Sequence, residues 1–212
     1  MAISSSKWVG DESTRACTAS RPRAASGLAS SRGPSQRQSA QRRLHEMLDV
    51  QTRVADTLQA GFTTLRDLGT EGAGYADVAV KRAIEEGVIP GPRLYIATLA
   101  IVASSSYGPA GRNYRPDMEL PHGAQEATGV DGVTRAVREQ SSRGADWIKF
   151  YADYRTGIDG SARPTFTAEE MKAMVQAAHV TGRKVAVHAS TDEATRMAVL
   201  AGADTIEHGY GI

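Results

Sequence analysis

A single cysteine, Cys17, stands in the 212-residue chain. That excludes an internal disulfide framework and any zinc site built on thiolates, and leaves a free thiol in a polar tract. Long apolar runs are also missing. None approaches the roughly 20 residues needed to cross a bilayer, and the N-terminus lacks the apolar core of a secretory signal. Net charge is almost absent, +1 at pH 7, which argues against nucleic acid as a general partner. What remains is ordinary globular composition, 41% hydrophobic and 23% charged. No nucleic acid or membrane partner is expected, and the expected compartment is the cytoplasm.

The small net charge hides an asymmetry. Residues 1–43 carry eight Lys or Arg against Asp11 and Glu12, so the rest of the chain is mildly acidic. Residues 1–40 are rich in Ser, Arg, Ala and Gly and poor in large apolar side chains, too poor to offset the entropy of ordering. They are expected to be a disordered tail, with residues 41–212 as the domain. The tail's composition also matches an organelle transit peptide, but no amphipathic period is visible before Arg42.

From about Ala40 the pattern becomes regular. Leu44, Met47, Leu48, Val54 and Leu58 recur at helical spacing and Gly61 stops them. Five strands are expected, at about 62–66, 93–97, 146–151, 184–188 and 204–207. Helices are expected at 75–86, 129–143, from the capping box Thr167–Glu170 onward, and at 191–201. Two stretches, 104–127 and 152–164, read as irregular, the first as a candidate lid over the strand ends. Strict alternation of strand and helix implies a parallel α/β sheet with right-handed crossovers. Five strands do not close a barrel of eight. The fold expected is therefore an open doubly wound sheet or a partial TIM-type (β/α)8 barrel.

One unit repeats three times: a helix, a glycine stop (Gly144, Gly182, Gly202), then a buried strand with a reactive side chain near its tip. Those side chains are Lys149, His188 and His208. The C-terminal tips of parallel barrel strands are where chemistry sits. Adjacent strands lie ~4.8 Å apart, so two imidazoles at matching positions of consecutive units can share one metal ion, with Zn–N bonds of roughly 2.0–2.1 Å. Lys149, on a strand apolar on both sides, has three readings: a buried ion pair, a Schiff-base nucleophile with a lowered pKa, or a carbamate bridging two metals. Tyr151, Tyr154 and Arg155, just beyond that strand, are candidate pocket residues. Glu207 is expected to pair with a helix or with Arg66, and Asp67 to serve a turn.

Gly61-Phe62-Thr63-Thr64-Leu65-Arg66-Asp67, Gly144-Ala145-Asp146-Trp147-Ile148-Lys149, Val187-His188-Ala189 and Ala201-Gly202-Ala203-Asp204-Thr205-Ile206-Glu207-His208-Gly209 together resemble the amidohydrolase superfamily. The likeness is to its imidazolonepropionase-like and prolidase-like metal-dependent hydrolases, and it covers about residues 45–212. It implies a (β/α)8 barrel and one or two divalent metals, usually zinc. It also implies Lys149 as the carboxylated bridging lysine, with His188 and His208 as ligands of the second metal. The implied activity is hydrolysis of C–N bonds in amide or dipeptide-like substrates by metal-activated water. The departures are equally plain. No His-x-His pair, the family's first-metal ligand, occurs in the chain. The family's strands seven and eight and its general-base aspartate would be expected beyond Ile212. The chain looks like strands two to six, expected to be weakly active or inactive alone and to self-associate through exposed barrel edges. Prolidase-like members carry His-x-Tyr on strand five and an Arg on the next helix to hold a substrate carboxylate. Here Ser190 stands at the Tyr position and Arg196 is retained. The alternatives are a lyase using Lys149, and a non-catalytic binding remnant.

Overall fold

The computed structural model describes residues 52–108, 114–115, 117–118 and 122–210. The expectation of a disordered tail, and the boundary at residues 40 and 41, lie outside them.

Residues 52–59 form a helix, α1. It is followed by β1 (Thr64–Asp67), α2 (Ala76–Glu85), β2 (Arg93–Ile96), β3 (Ile101–Ala103) and β4 (Gln125–Ala127). The chain continues with α3 (Gly129–Arg143), β5 (Trp147–Tyr151), β6 (Asp153–Tyr154), β7 (Arg163–Pro164) and α4 (Ala168–Val180). It ends with β8 (Lys184–Ala189), α5 (Asp192–Ala201) and β9 (Thr205–His208). All five expected strands are present. The two stretches read as irregular carry short strands: β4 lies parallel to β3, and β6 and β7 form an antiparallel pair.

A parallel sheet of order β4-β3-β5-β8-β9 carries the centre of the fold, and β1 pairs in parallel with β2. The end of β2 is tied to the start of β5, where Asp146 N–H donates to the Ile96 carbonyl at 2.8 Å. Between β2 and β3 the chain kinks at Thr98, fully buried at φ 59°. The kink is held by Thr98 N–H donating to Asp77 Oδ2 at 2.9 Å and its hydroxyl donating to Gln140 Oε1 at 2.6 Å. Polar atoms buried this deeply must be paired, and here α2 and α3 supply the partners.

Local signals act as expected. Gly144 and Gly202 cap α3 and α5 in the left-handed region, at φ 109° and 94°. Thr167 and Glu170 form the capping box of α4. The core lies between sheet and helices. Ile148 and Phe150 of β5 and Val185 and Val187 of β8 are fully buried with Val133, Val137, Met171, Met174 and Ala194. Alternation along β5 then turns Trp147, Lys149 and Tyr151 to the opposite, concave face.

That face is strongly curled. Four strand spacings of ~4.8 Å would set β1 roughly 19 Å from β9 in a flat sheet. Yet Arg66 of β1 meets Glu207 of β9 at 2.7 Å, and its guanidinium lies 4.6 Å from the centroid of the Trp147 ring. Glu207 therefore pairs with Arg66, across the concavity. The curl is that of a barrel wall. Among the described residues no helix is long and apolar enough to cross a membrane.

Candidate functional site

Lys149 sits on the concave face of β5, only 4% exposed. Burial lowers its pKa to about 8 against the usual 10.5, and the Arg66 charge adds to this while Glu207 and Glu71 oppose it. Its ammonium lies 5.4 Å from the centroid of the Tyr151 ring. Tyr151 stacks on His188, centroids 4.8 Å apart, and His188 meets His208 edge-on at 4.7 Å. The three strand-end groups thus converge, with Tyr151 between Lys149 and the imidazoles.

They do not converge for the reason expected. The two histidines are not in register: His188 lies opposite Glu207, and His208 opposite Ala189. A one-residue offset sends successive side chains to opposite faces. His208 escapes this because its own backbone is left-handed, φ 75°, ahead of Gly209 at φ 59°. Among the described residues, four non-glycine positions have positive φ: Glu71, Thr98, Ser105 and His208. All lie at or just beyond the C-terminal ends of parallel strands, where strain accompanies function.

Asp153 was not singled out from sequence. It is fully buried, and its oxygens accept from the Ser190 and Thr191 N–H groups and hydroxyls at 2.7–3.0 Å. His188 Nε2 is 3.4 Å from Asp153 Oδ1. Burial pushes this carboxyl up, but the bonds from His188, Ser190 and Thr191 more than reverse that and hold it well below the usual carboxylate range. An ionised Asp153 favours a proton on Nε2 and orients the ring, as carboxylate partners of metal-binding histidines do. His208 is held below its ordinary pKa by burial, then by the His188 and Lys149 charges, and so stays neutral at pH 7. A period-two reading of 149, 151 and 153 would have placed Asp153 on the face of Lys149.

Glu71 was also missed. Its carboxylate accepts from the Tyr107 hydroxyl and, at 3.0 Å, from the Tyr151 hydroxyl. Burial and the Glu71 charge push both phenols well above their usual pKa. Tyr107 packs edge-on to Tyr151 and to Tyr154. Of the expected pocket residues, Tyr151 and Tyr154 therefore join the site. Arg155 is exposed. Arg196 lies on the outer side of α5, 71% exposed, paired with Asp192 at 3.2 Å. Asp67 serves its turn, accepting from Gly69 N–H at 3.2 Å.

The donor set fits a divalent metal in part. Two imidazoles stand side by side, one oriented by a buried carboxylate. The third group, Lys149, becomes an oxygen donor only after carboxylation. Among the described residues, no three His, Cys, Asp or Glu are grouped to hold a metal ion.

Comparison with known proteins agrees with this geometry. The profile of the amidohydrolase family matches residues 46–212. The ochratoxinase of Aspergillus niger is 33% identical over 168 residues, covering 72% of this chain and 34% of that protein. A crystal structure of a Xaa-Pro dipeptidase with methionine in its active site is 33% identical, TM-score 0.63, covering 74% of this chain and 40% of that one. The ochratoxinase crystal structure superposes with a TM-score of 0.59 at 31% identity. The chain spans about a third of the length of the curated relatives it matches. On its profile match, its relatives and its curled parallel sheet, the chain belongs to the amidohydrolase family of hydrolases.

Proposed function

We propose that this chain is a metal-dependent hydrolase of C–N bonds in small amide or dipeptide-like substrates, with Lys149, His188 and His208 holding a divalent metal, zinc by preference. The observation that carries the reading is the convergence of those three groups, with the two imidazole centroids 4.7 Å apart. The ochratoxinase and dipeptidase relatives supply the substrate class.

When bound, the metal supplies Lewis acidity and a water acidic enough to give hydroxide near neutral pH. The chain's own residues prepare for it. The buried Lys149 amine, with its pKa near 8, is neutral often enough to attack CO2; an N–C bond forms, a proton leaves, and the carbamate supplies oxygen ligands. Asp153 orients His188, and the tyrosine cluster excludes water from one side of the site. With five histidines and no His-x-His pair in the sequence, the chain alone is proposed to bind metal weakly and to turn over slowly or not at all. Self-association through the outer strands β1 and β9 is proposed as well, since exposed strand edges seek partners.

A lowered lysine pKa also suits a Schiff-base lyase. Borohydride trapping of Lys149 with a carbonyl substrate tests that second reading. Metal analysis and assays on unblocked dipeptides and simple amides test the first. It fails if the purified chain takes up no zinc at these residues.

A further inference from the structure

Glu71 stands apart from the proposed metal ligands. It follows β1 in a loop where Gly69, Gly72 and Gly74 also have positive φ, and is itself at φ 48°. That backbone turns its carboxylate toward the rings of Tyr107 and Tyr151, which come from two other segments. Tyr107 meets Tyr151 and Tyr154 edge-on, centroids 5.1 and 5.2 Å apart. Glu71 remains exposed and the three tyrosines half-buried. Both hydrogen bonds to the carboxylate come from neutral phenols, and the Lys149 charge acts on it only at longer range than an ion pair. Among the described residues no Lys or Arg forms an ion pair with it. The nearby Lys149 ammonium lies against the Tyr151 ring instead. A latch for the loop would need no charge; an amide would accept the same two hydrogen bonds. A solvent-facing carboxylate beside aromatic rings is instead the chemistry that binds an organic ammonium ion. The anion supplies Coulomb attraction and the rings supply cation–π attraction.

We propose that Glu71, held by the Tyr151 hydroxyl beside the rings of Tyr107 and Tyr154, binds the protonated free amino group of the substrate, so that the site selects amides of unblocked amino acids over N-acylated ones. This rests on the reading of the chain as a C–N hydrolase and deepens it to a substrate class.

The test is calorimetric titration of the full chain, stripped of metal by chelator, with leucine amide and with N-acetyl-leucine amide at pH 6.5. The wild-type chain should bind leucine amide about tenfold or more tighter, and Glu71→Gln should remove the preference. Equal affinity of the wild-type chain for both ligands overturns the proposal, whether or not the variant folds. So does a folded Glu71→Gln that keeps the preference. Zinc titration of the same samples separates the two readings. Zinc uptake at His188 and His208 without an amine preference sinks this inference alone. An amine preference without zinc uptake supports it and sinks the metal reading alone.

Discussion

The two ends of the parallel strands are built on opposite principles. At the N-terminal ends several charges have structural partners. Lys81 reaches Asp146 at 2.6 Å, and Asp146 also accepts from the Ile96 N–H. His179 pairs with Asp204 at 2.9 Å, and Asp204 accepts from the Val185 N–H. Arg183 donates to the carbonyls of Ala145, Ser141 and Thr181. These groups fasten helices to strands. At the C-terminal ends Lys149 is buried with no hydrogen bond among the described residues, two imidazoles crowd each other, and Glu71 and His208 hold left-handed backbone. The first end fastens the fold; the second gathers groups that cost stability.

The sharpest way to break this contrast is at the histidines. His188→Ala with His208→Ala should weaken zinc binding by about 100-fold or more while leaving the fold intact, read by titration and circular dichroism. Asp153→Asn should destabilise the chain by about 2–4 kcal/mol, because four donors and His188 lose an ionised acceptor. Its sign with pH is fixed: the native pKa is depressed below the usual 3.8, so this stabilisation is present above pH 4 and is lost as pH falls toward the native value. Wild type should lose stability in that acid window, and Asp153→Asn should lose less.

Lys149→Met should do the reverse at the same end of the strands. It should abolish zinc uptake yet stabilise the metal-free chain by about 1–3 kcal/mol at pH 7. The native pKa of about 8 lies below the ordinary 10.5, so the penalty is full below pH 8 and is relieved as pH rises toward 10.5. Thermal melts across that range should show the rise in wild type only. The smallest effect belongs to the cap of α4: Thr167→Ala should cost about 1 kcal/mol with zinc affinity unchanged.

The strands and helices were legible because apolar periodicity and glycine stops are local signals; Gly144, Gly202 and the Thr167–Glu170 box mark their ends in the sequence itself. The three-residue β3 and β4 were not, since Gln125 and Glu126 give β4 no apolar pattern and its pairing depends on a kink held by α2 and α3. Lys149, His188 and His208 were legible as strand-end residues. Their geometry was not: equal spacing suggested a common register, whereas the left-handed turn at His208 brings the rings together. Asp153 left a faint period-two trace. Glu71 left none, because its partner Tyr151 is 80 residues away and only the curl of the sheet joins them.

The central claim is that Lys149, His188 and His208 act as one metal-binding unit. Zinc titration followed by the histidine ring resonances of the full chain tests it directly. The rings of His188 and His208 should shift together and saturate at one common zinc concentration, with no such change in Lys149→Met. Zinc-dependent shifts at His45, His122 or His179 instead, with His188 and His208 unmoved, would contradict it.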